Sequence, residues 1–255
     1  RIICIKEENM PVKLSIEDSI AVLTLDNPSK LNALSSDFMK EIDEEIRGVD
    51  QKASVLIATG CKKAFAAGVD ISEIERHSSE SACLENFVDE KWESLFNVKI
   101  PTIAAVSGYA LGGGFELALM CDVIIAAKSA KFGFPEVNLG LMPGMGGTQA
   151  LARIVGIKLA CEIIMTGDFL SAQRAKELNV VSQVVEDDEL MPTAREFAQK
   201  IARKSPSSLR MIKEAIRLSQ NVGLIQGMRS ERLMFRSLFS TADKKRKIED
   251  FLKRK

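Results

Sequence analysis

The sequence predicts an α/β core followed by an α-helical extension. Three observations carry that expectation. Short apolar strands alternate with helical segments through the first two thirds of the chain. Beyond Ser171 the pattern becomes almost purely helical. A buried strand, a glycine-bearing loop and a helix recur in that order, once at 54–77 and once at 100–121. A chain of 255 residues accommodates one large domain, or one domain with an appendage. The junction is expected near 190–205, giving a core of 1–195 and a helical region of 196–255.

The elements follow in order. Segments 13–16 and 20–25 read as a hairpin, with Glu17 and Asp18 near its turn. Asp26, Asn27, Pro28 and Ser29 break it. Ser35 or Ser36 caps a helix running to about Gly48, with Phe38, Ile42 and Ile46 on one stripe. A short buried strand at 55–58 leads through a loop at 59–68 to a helix at 71–77. The segment 78–98 reads as one long helix. A second apolar strand, 100–106, enters the run GYALGGG at 108–114, and a helix at 115–121 follows. A third strand at 123–126 precedes a loop punctuated by glycine and proline at 131–147, then helices at 148–155 and 157–166. Ser205 and Pro206 open an amphipathic helix with Leu209, Ile212 and Ile216 expected inward. The last segment, from about Asn221, is helical and ends in basic runs at 244–247 and 253–255.

Composition narrows the class. The chain is 46% hydrophobic and 27% charged, as ordinary globular proteins are. Lys+Arg and Asp+Glu are both 35, so no global field favours a polyanion, and nucleic acid is not an expected partner. The longest apolar stretches, 100–106 and 123–127, are too short to span a bilayer, and no membrane partner is expected. Segment 1–10 carries Lys6, Glu7 and Glu8, unlike a secretory core or an acid-poor transit peptide. The first residue is not Met, consistent with removal of a short upstream piece. Five cysteines without a C-x-x-C pair read as reduced thiols in a reducing compartment. The expected location is the cytoplasm, or the mitochondrial matrix if a transit peptide was removed.

The repeated loop is the informative feature. Backbone N–H groups at a helix N-terminus lack an intrahelical acceptor, and the helix dipole is positive there. Two such loops facing one another would place two free amides around one point, as an oxyanion hole requires. Other loop chemistries fail. The run at 108–114 lacks the Lys-Ser/Thr of a P-loop, neither glycine cluster matches G-x-G-x-x-G, and there is no G-x-S-x-G elbow. The single histidine, His77, reads as a solvated helix-end residue rather than a triad member. One histidine and no carboxylate cluster at ligand spacing give poor support to a metal.

Two acids stand out instead. Glu116 follows the glycine triplet among Phe115, Leu117, Ala118 and Leu119, and Glu136 follows Phe134 and Pro135. Taken singly, one reads as a dipole-complementing first-turn acid and the other as a loop acid. Beside two amide loops they read as an acid/base pair, because apolar walls raise carboxyl pKa values into the range of proton transfer.

At this point the residues resemble a known family. AFAAGVD at 64–70, IAAVSGYALGGGFELALMC at 103–121 with Asp122, FGFPE at 132–136 and LGLMPGMGGTQ at 139–149 are similar to the crotonase superfamily, and to enoyl-CoA hydratase within it. Weaker echoes at 27–34 and 239–243 extend the likeness over nearly the whole chain. The resemblance implies a spiral of ββα units with a C-terminal helical region that builds trimers, often paired as hexamers. It implies hydration of 2-trans-enoyl-CoA to 3-hydroxyacyl-CoA, in fatty-acid β-oxidation. The amides of Val69 and Gly113 would hold the thioester oxygen, Glu116 and Glu136 would hold the water, and the Gly144 amide would help place it. Ala64, Ala66 and Ala67 would meet the adenine, Leu31 and Ala33 would line the pantetheine path, and Asp70 and Ile71 would also bind coenzyme A. Phe251 and Arg254 would reach a neighbouring subunit's nucleotide end. Such chemistry uses no metal and no other cofactor; coenzyme A enters as part of the substrate.

The chain departs from the family pattern at three places. Ala150 stands where Arg is usual, so a salt bridge to Asp122 is expected to be missing. Phe134 makes the wall of Glu136 more apolar. Arg246 and Lys247 replace an acid and a glycine. Two rivals remain open: another acyl-CoA reaction on the same scaffold, above all double-bond isomerisation, which often keeps one of the two acids, or dehalogenation or decarboxylation, which use other residues; and a non-catalytic RNA-binding member of the superfamily.

Overall fold

The computed structural model describes residues 11–253. Strands β1 (Val12–Glu17) and β2 (Ile20–Leu25) form the expected hairpin. Its turn is made by Asp18 and Ser19, both left-handed at φ 49° and 64°. That handedness suits a two-residue hairpin turn, because it follows the twist of the strands. Ser35 caps α1 (Ser36–Ile46) by accepting the Phe38 N–H, and the predicted stripe of Phe38, Ile42 and Ile46 is buried.

After the short α2 (Val49–Lys52), the chain repeats one pattern. A first strand joins a large sheet, a second joins a small sheet, and a helix follows. The first turn is β3 (Val55–Thr59), β4 (Ala64–Ala66) and α3 (Ile71–Arg76). The segment that follows, expected as one helix, is broken. It contains α4 (Ser79–Leu84), a 3-10 turn at Glu90–Glu93 and α5 (Ser94–Asn97). Asn86 and Val88 are left-handed at the break, at φ 49° and 61°. The kink lets Phe87 stack on His77, with ring centroids 4.3 Å apart, while Trp92 is buried. Tertiary packing has overridden helix periodicity. It also corrects His77, which is largely covered: its Nδ1 meets the Glu73 carbonyl at 2.7 Å.

The second turn is β5 (Thr102–Val106), β6 (Tyr109–Leu111) and α6 (Gly113–Leu119). The third is β7 (Val123–Ala127), β8 (Lys131–Gly133), a 3-10 turn at Pro135–Leu139 and α7 (Gly147–Val155). The stretch 131–147 is therefore a strand and a turn as well as loop. Next come α8 (Ile157–Thr166), β9 (Leu170–Ser171), α9 (Ala172–Glu177) and β10 (Gln183–Val185). One strand, β10, thus lies in the stretch beyond Ser171 that was expected to be almost purely helical. The chain closes with α10 (Leu190–Ala202), α11 (Pro206–Leu218), α12 (Leu224–Ser237) and α13 (Ala242–Leu252).

The large sheet has the order β1-β2-β3-β5-β7-β10 and is parallel apart from the hairpin. The small sheet has the order β4-β6-β8-β9, with only β9 antiparallel. Alternate residues of the large sheet face opposite ways, as the strand period of two requires. Leu23, Leu56, Ala104 and Ala126 join a core that includes Phe65, Phe115, Phe132 and Phe134. Val22, Ile57, Ile103 and Ile125 face α10 through Leu190, Ala194 and Ala198. Burial on both faces is what a parallel sheet needs, and each large side chain so buried contributes about 1.5–3 kcal/mol. The division expected at 195/196 falls inside α10, whose apolar side is part of this second core. Among the described residues no helix is long and apolar enough to cross a membrane.

Helix α11 faces the other way from expectation. Ile212 and Ile216 are exposed, while Lys213 and Arg217 reach inward to Asp122 at 2.7 and 3.1 Å. Lys213 also donates to the Ile100 carbonyl, and Arg217 donates to the Phe96 carbonyl. Asp122 is therefore paired even with Ala150 in place of Arg, because α11 supplies the cations. The pairing of Lys213 and Arg217 with Asp122 turns this face of the helix inward and leaves the two isoleucines outside.

The turns of the spiral meet closely at Gly114. A Cβ there would lie 1.9 Å from the Ala66 carbonyl oxygen, so β4 and the first turn of α6 are in backbone contact. The variant Gly114→Ala is expected to lose about 1–3 kcal/mol by overpacking. Urea unfolding checks this, and an unchanged midpoint would show that the two backbones can part freely.

Candidate active site

Two loops converge where α6 begins. The first follows β4. Val69 pairs with Leu34 in an isolated bridge, through Leu34 N–H to the Gly68 carbonyl at 2.7 Å and Asp70 N–H to the Leu34 carbonyl at 2.9 Å. That pattern leaves the Val69 N–H pointing away from Leu34. The second loop ends at Gly112, whose φ of 50° suits glycine, and Gly113 opens α6. As the first helical residue, Gly113 has no acceptor within its helix. A Cβ on Gly113 would lie 3.2 Å from the Val69 side chain and 3.2 Å from Met145 Sδ. Gly113 and the side chains of Val69 and Met145 thus meet on one small apolar surface.

Glu116 lies one turn further along α6 and is 2% exposed. Its Oε1 accepts the amides of Met145 and Gly147, each at 2.7 Å. Burial raises its pKa, and the amides of Gly147, Met145 and Gly144 oppose that rise by favouring the anion. Gly144, expected to place a water, therefore faces the Glu116 carboxyl. Gly147 itself cannot carry a side chain comfortably, since a Cβ would sit 2.7 Å from the Phe134 ring and 2.9 Å from Glu116 Oε1. Phe134 stacks on Phe115 at 4.8 Å and so walls Glu116, not Glu136 alone as the sequence suggested.

Glu136 comes from the 3-10 turn after β8 and is half-buried. Its Oε1 lies 2.9 Å from the point where a Cβ on Gly112 would stand, which brings it against the second loop. Its Oε2 is buried with no hydrogen-bond partner among the described residues. Burial pushes its carboxyl up to about 7, against a hydrogen bond from its own N–H, and the charge of Glu116 adds to the rise. The two acids thus differ by surroundings. Fixed amides favour the Glu116 anion, while an unpartnered oxygen favours the Glu136 acid.

The other expected residues fall around this centre. Ala64 and Ala66 are fully buried in β4. Ala67, Leu31 and Ala33 are partly exposed beside them. Asp70 caps α3, accepting from Ser72 N–H at 3.0 Å and pairing with Lys30 at 3.0 Å. The Ser72 hydroxyl, then Lys30, hold its carboxyl at about 2. Ile71 is exposed next to it. Phe251 is an exposed residue of α13, and Arg254 lies outside the described residues. The amides of Met145 and Gly147 escape a sequence reading. Asn32 falls within the echo at 27–34, but as a polar residue between apolar Leu31 and Ala33 it gives no local sign of its bonds.

With that geometry in hand, likeness to known proteins is informative. Residues 15–255 match the enoyl-CoA hydratase/isomerase family. A probable enoyl-CoA hydratase of Rhizobium meliloti (strain 1021) is 43% identical over 235 residues, covering 91% of each chain. The 2,3-dehydroadipyl-CoA hydratase of Escherichia coli (strain K12) is 39% identical over 244 residues, covering 95% of each. Among solved structures, an enoyl-CoA hydratase from Bacillus anthracis superposes with a TM-score of 0.91 at 33% identity, covering 96% of this chain and 97% of that one.

The raised carboxyl of Glu136 links stability to pH. Its ordinary value is 4.5 and its folded value about 7, so the folded protein holds a proton that the unfolded chain has released. That contribution is full below about 4.5, declines as the pH rises, and is gone above about 7. Urea midpoints measured from pH 5 to 8 should fall more steeply for the unaltered protein than for Glu136→Gln. Parallel lines would mean that residue 136 is not raised.

Proposed function

The chain belongs to the enoyl-CoA hydratase/isomerase family and is an enzyme that hydrates enoyl-CoA thioesters, and we propose that Glu116 and Glu136 carry that reaction beneath an oxyanion hole formed by the Val69 and Gly113 amides. The observation that supports this reading is a buried Glu116 and a half-buried Glu136 in different electrostatic settings, with Glu136 Oε1 against Gly112 at the start of α6.

The steps balance as follows. The Glu116 carboxylate takes a proton from water as the oxygen adds to C3. The C2–C3 π electrons move toward C2, and the thioester carbonyl becomes an enolate. Val69 and Gly113 donate to that oxygen, and fixed donors of this kind are worth about 10²–10³ in rate each. The Glu136 acid then delivers its proton to C2. Proton exchange between the two carboxyls through product and solvent restores the starting state. The substrate is a 2-trans-enoyl-CoA, the product a 3-hydroxyacyl-CoA, and fatty-acid β-oxidation is the setting proposed. No metal or further cofactor takes part. Retention of both acids favours hydration over double-bond migration as the main reaction.

Self-association belongs to the same proposal. The described part of α12 has no buried residue, and Leu224, Ile225, Leu233 and Phe235 on it are exposed, as are Ile212 and Ile216 on α11. Exposed apolar side chains in this number mark a contact surface, and further copies of this chain, as a trimer or paired trimers, are the proposed cover. The free Cys61, Cys83, Cys121 and Cys161 suit a reducing location, the cytoplasm or the mitochondrial matrix.

Two measurements test these statements. Steady-state hydration of a four-carbon enoyl-CoA should fall by about 10²–10⁴ in kcat/KM for Glu116→Gln and for Glu136→Gln; a Glu116→Gln enzyme that keeps most activity would favour the isomerase reading. Sedimentation should give a mass of three or six chains, and Phe235→Arg should lower it. A single-chain mass for the unaltered protein would remove the assembly.

A further inference from the structure

Asn32 is the most heavily bonded buried side chain outside the reactive pair. It is 0% exposed. Its Oδ1 accepts the Asn27 N–H at 2.7 Å. Its Nδ2 lies 3.0 Å from the Leu25 carbonyl oxygen, 3.1 Å from that of Ala64 and 3.0 Å from that of Phe65. It adopts a left-handed φ of 54°, and Leu31 before it does the same at 53°. Asparagine tolerates that conformation and leucine does so poorly, so the arc keeps it only because its contacts dictate it.

Those contacts share one target. The carboxamide grips the end of β2 and both Ala64 and Phe65 of β4. The backbone of the same arc grips the next residues: the Leu31 carbonyl accepts Ala67 N–H at 3.0 Å, Leu34 N–H donates to Gly68, and the Leu34 carbonyl accepts Asp70 N–H. Segment 64–70 is thus held on both sides of Val69. The Val69 N–H faces away from the arc, and Gly113 lies against the side chains of Val69 and Leu34, where a Cβ on it would stand 3.2 and 3.5 Å from them.

We propose that Asn32 is a positioning residue, whose buried carboxamide fixes the arc 31–34 against β4 so that the Val69 amide is aimed at the thioester oxygen. This rests on the hydration reading above. The residue touches no reacting atom; it acts through the Leu34–Val69 bridge. A displacement of about 1 Å in such a donor costs on the order of 10² in rate.

The test uses the full chain and two readouts. One is kcat against KM for a four-carbon enoyl-CoA. The other is the infrared carbonyl band of bound butyryl-CoA labelled with ¹³C at C1, which binds but has no double bond to hydrate. Donors at the oxygen lower that frequency. In Asn32→Ala, kcat should fall roughly 10- to 100-fold, KM should change much less, and the bound band should move back toward that of the free thioester. Asn32→Ser, which keeps a hydroxyl donor, should recover part of both. Asn32→Asp, which keeps the acceptor alone, should not, and these two variants also serve if alanine leaves the chain unfolded. A folded variant with a lowered unfolding midpoint, but with kcat and the bound band unchanged, would overturn the proposal. A band that fails to shift even on the unaltered enzyme would overturn the oxyanion reading itself, a separate and distinguishable failure.

Discussion

The site depends on a close approach between two backbones. At Gly114, α6 and β4 touch with no side chain between them. That contact sets the first turn of α6 beside the loop that leaves β4, and so sets Gly113 beside Val69. Glu116, three residues on from Gly113, is then carried to the opposite rim, where the amides of Met145 and Gly147 meet it. A methyl group at Gly114 would push against the Ala66 carbonyl and part the two backbones locally. The small sheet serves this purpose too: β4, β6 and β8 lie side by side, so the ends of successive spiral turns gather at one place.

The second theme is how two identical carboxyl groups acquire different tasks. Both are pushed up by burial. The one on α6 is answered by fixed N–H donors, which act on the anion. The one after β8 keeps an oxygen that no described residue satisfies, and it feels the charge of the first. What the surroundings decide is where a proton rests when substrate arrives. The same logic explains why the wall is aromatic. Phe115 and Phe134 exclude water from Glu116, which strengthens each hydrogen bond made to it.

Much of this was legible in the sequence where backbone contact demands glycine. The runs at 64–70 and 108–114 carry their geometry in residue type, so strand, loop and helix followed in the right order. The third turn of the spiral was missed because its joint is Pro135 rather than glycine, and β8 is only Lys131–Gly133. Segment 78–98 misled because helical spacing of Phe87 and Trp92 also suits two aromatics folded inward across a kink at Asn86 and Val88. On α11, periodicity identified an amphipathic helix but not its orientation. The deciding group, Asp122, lies far away in the chain, and no local pattern couples it to Lys213 and Arg217. Asn32 was quiet for the same reason: its partners are carbonyls, which every sequence has everywhere.

The most direct measurement is a crystal structure with a 3-hydroxyacyl-CoA bound at high occupancy. The expected thioester oxygen lies about 2.7–3.1 Å from both the Val69 and Gly113 nitrogens, with the 3-hydroxyl between the carboxyls of Glu116 and Glu136. A thioester oxygen bonded to neither amide, or a 3-hydroxyl remote from both acids, would contradict the assignment of this site.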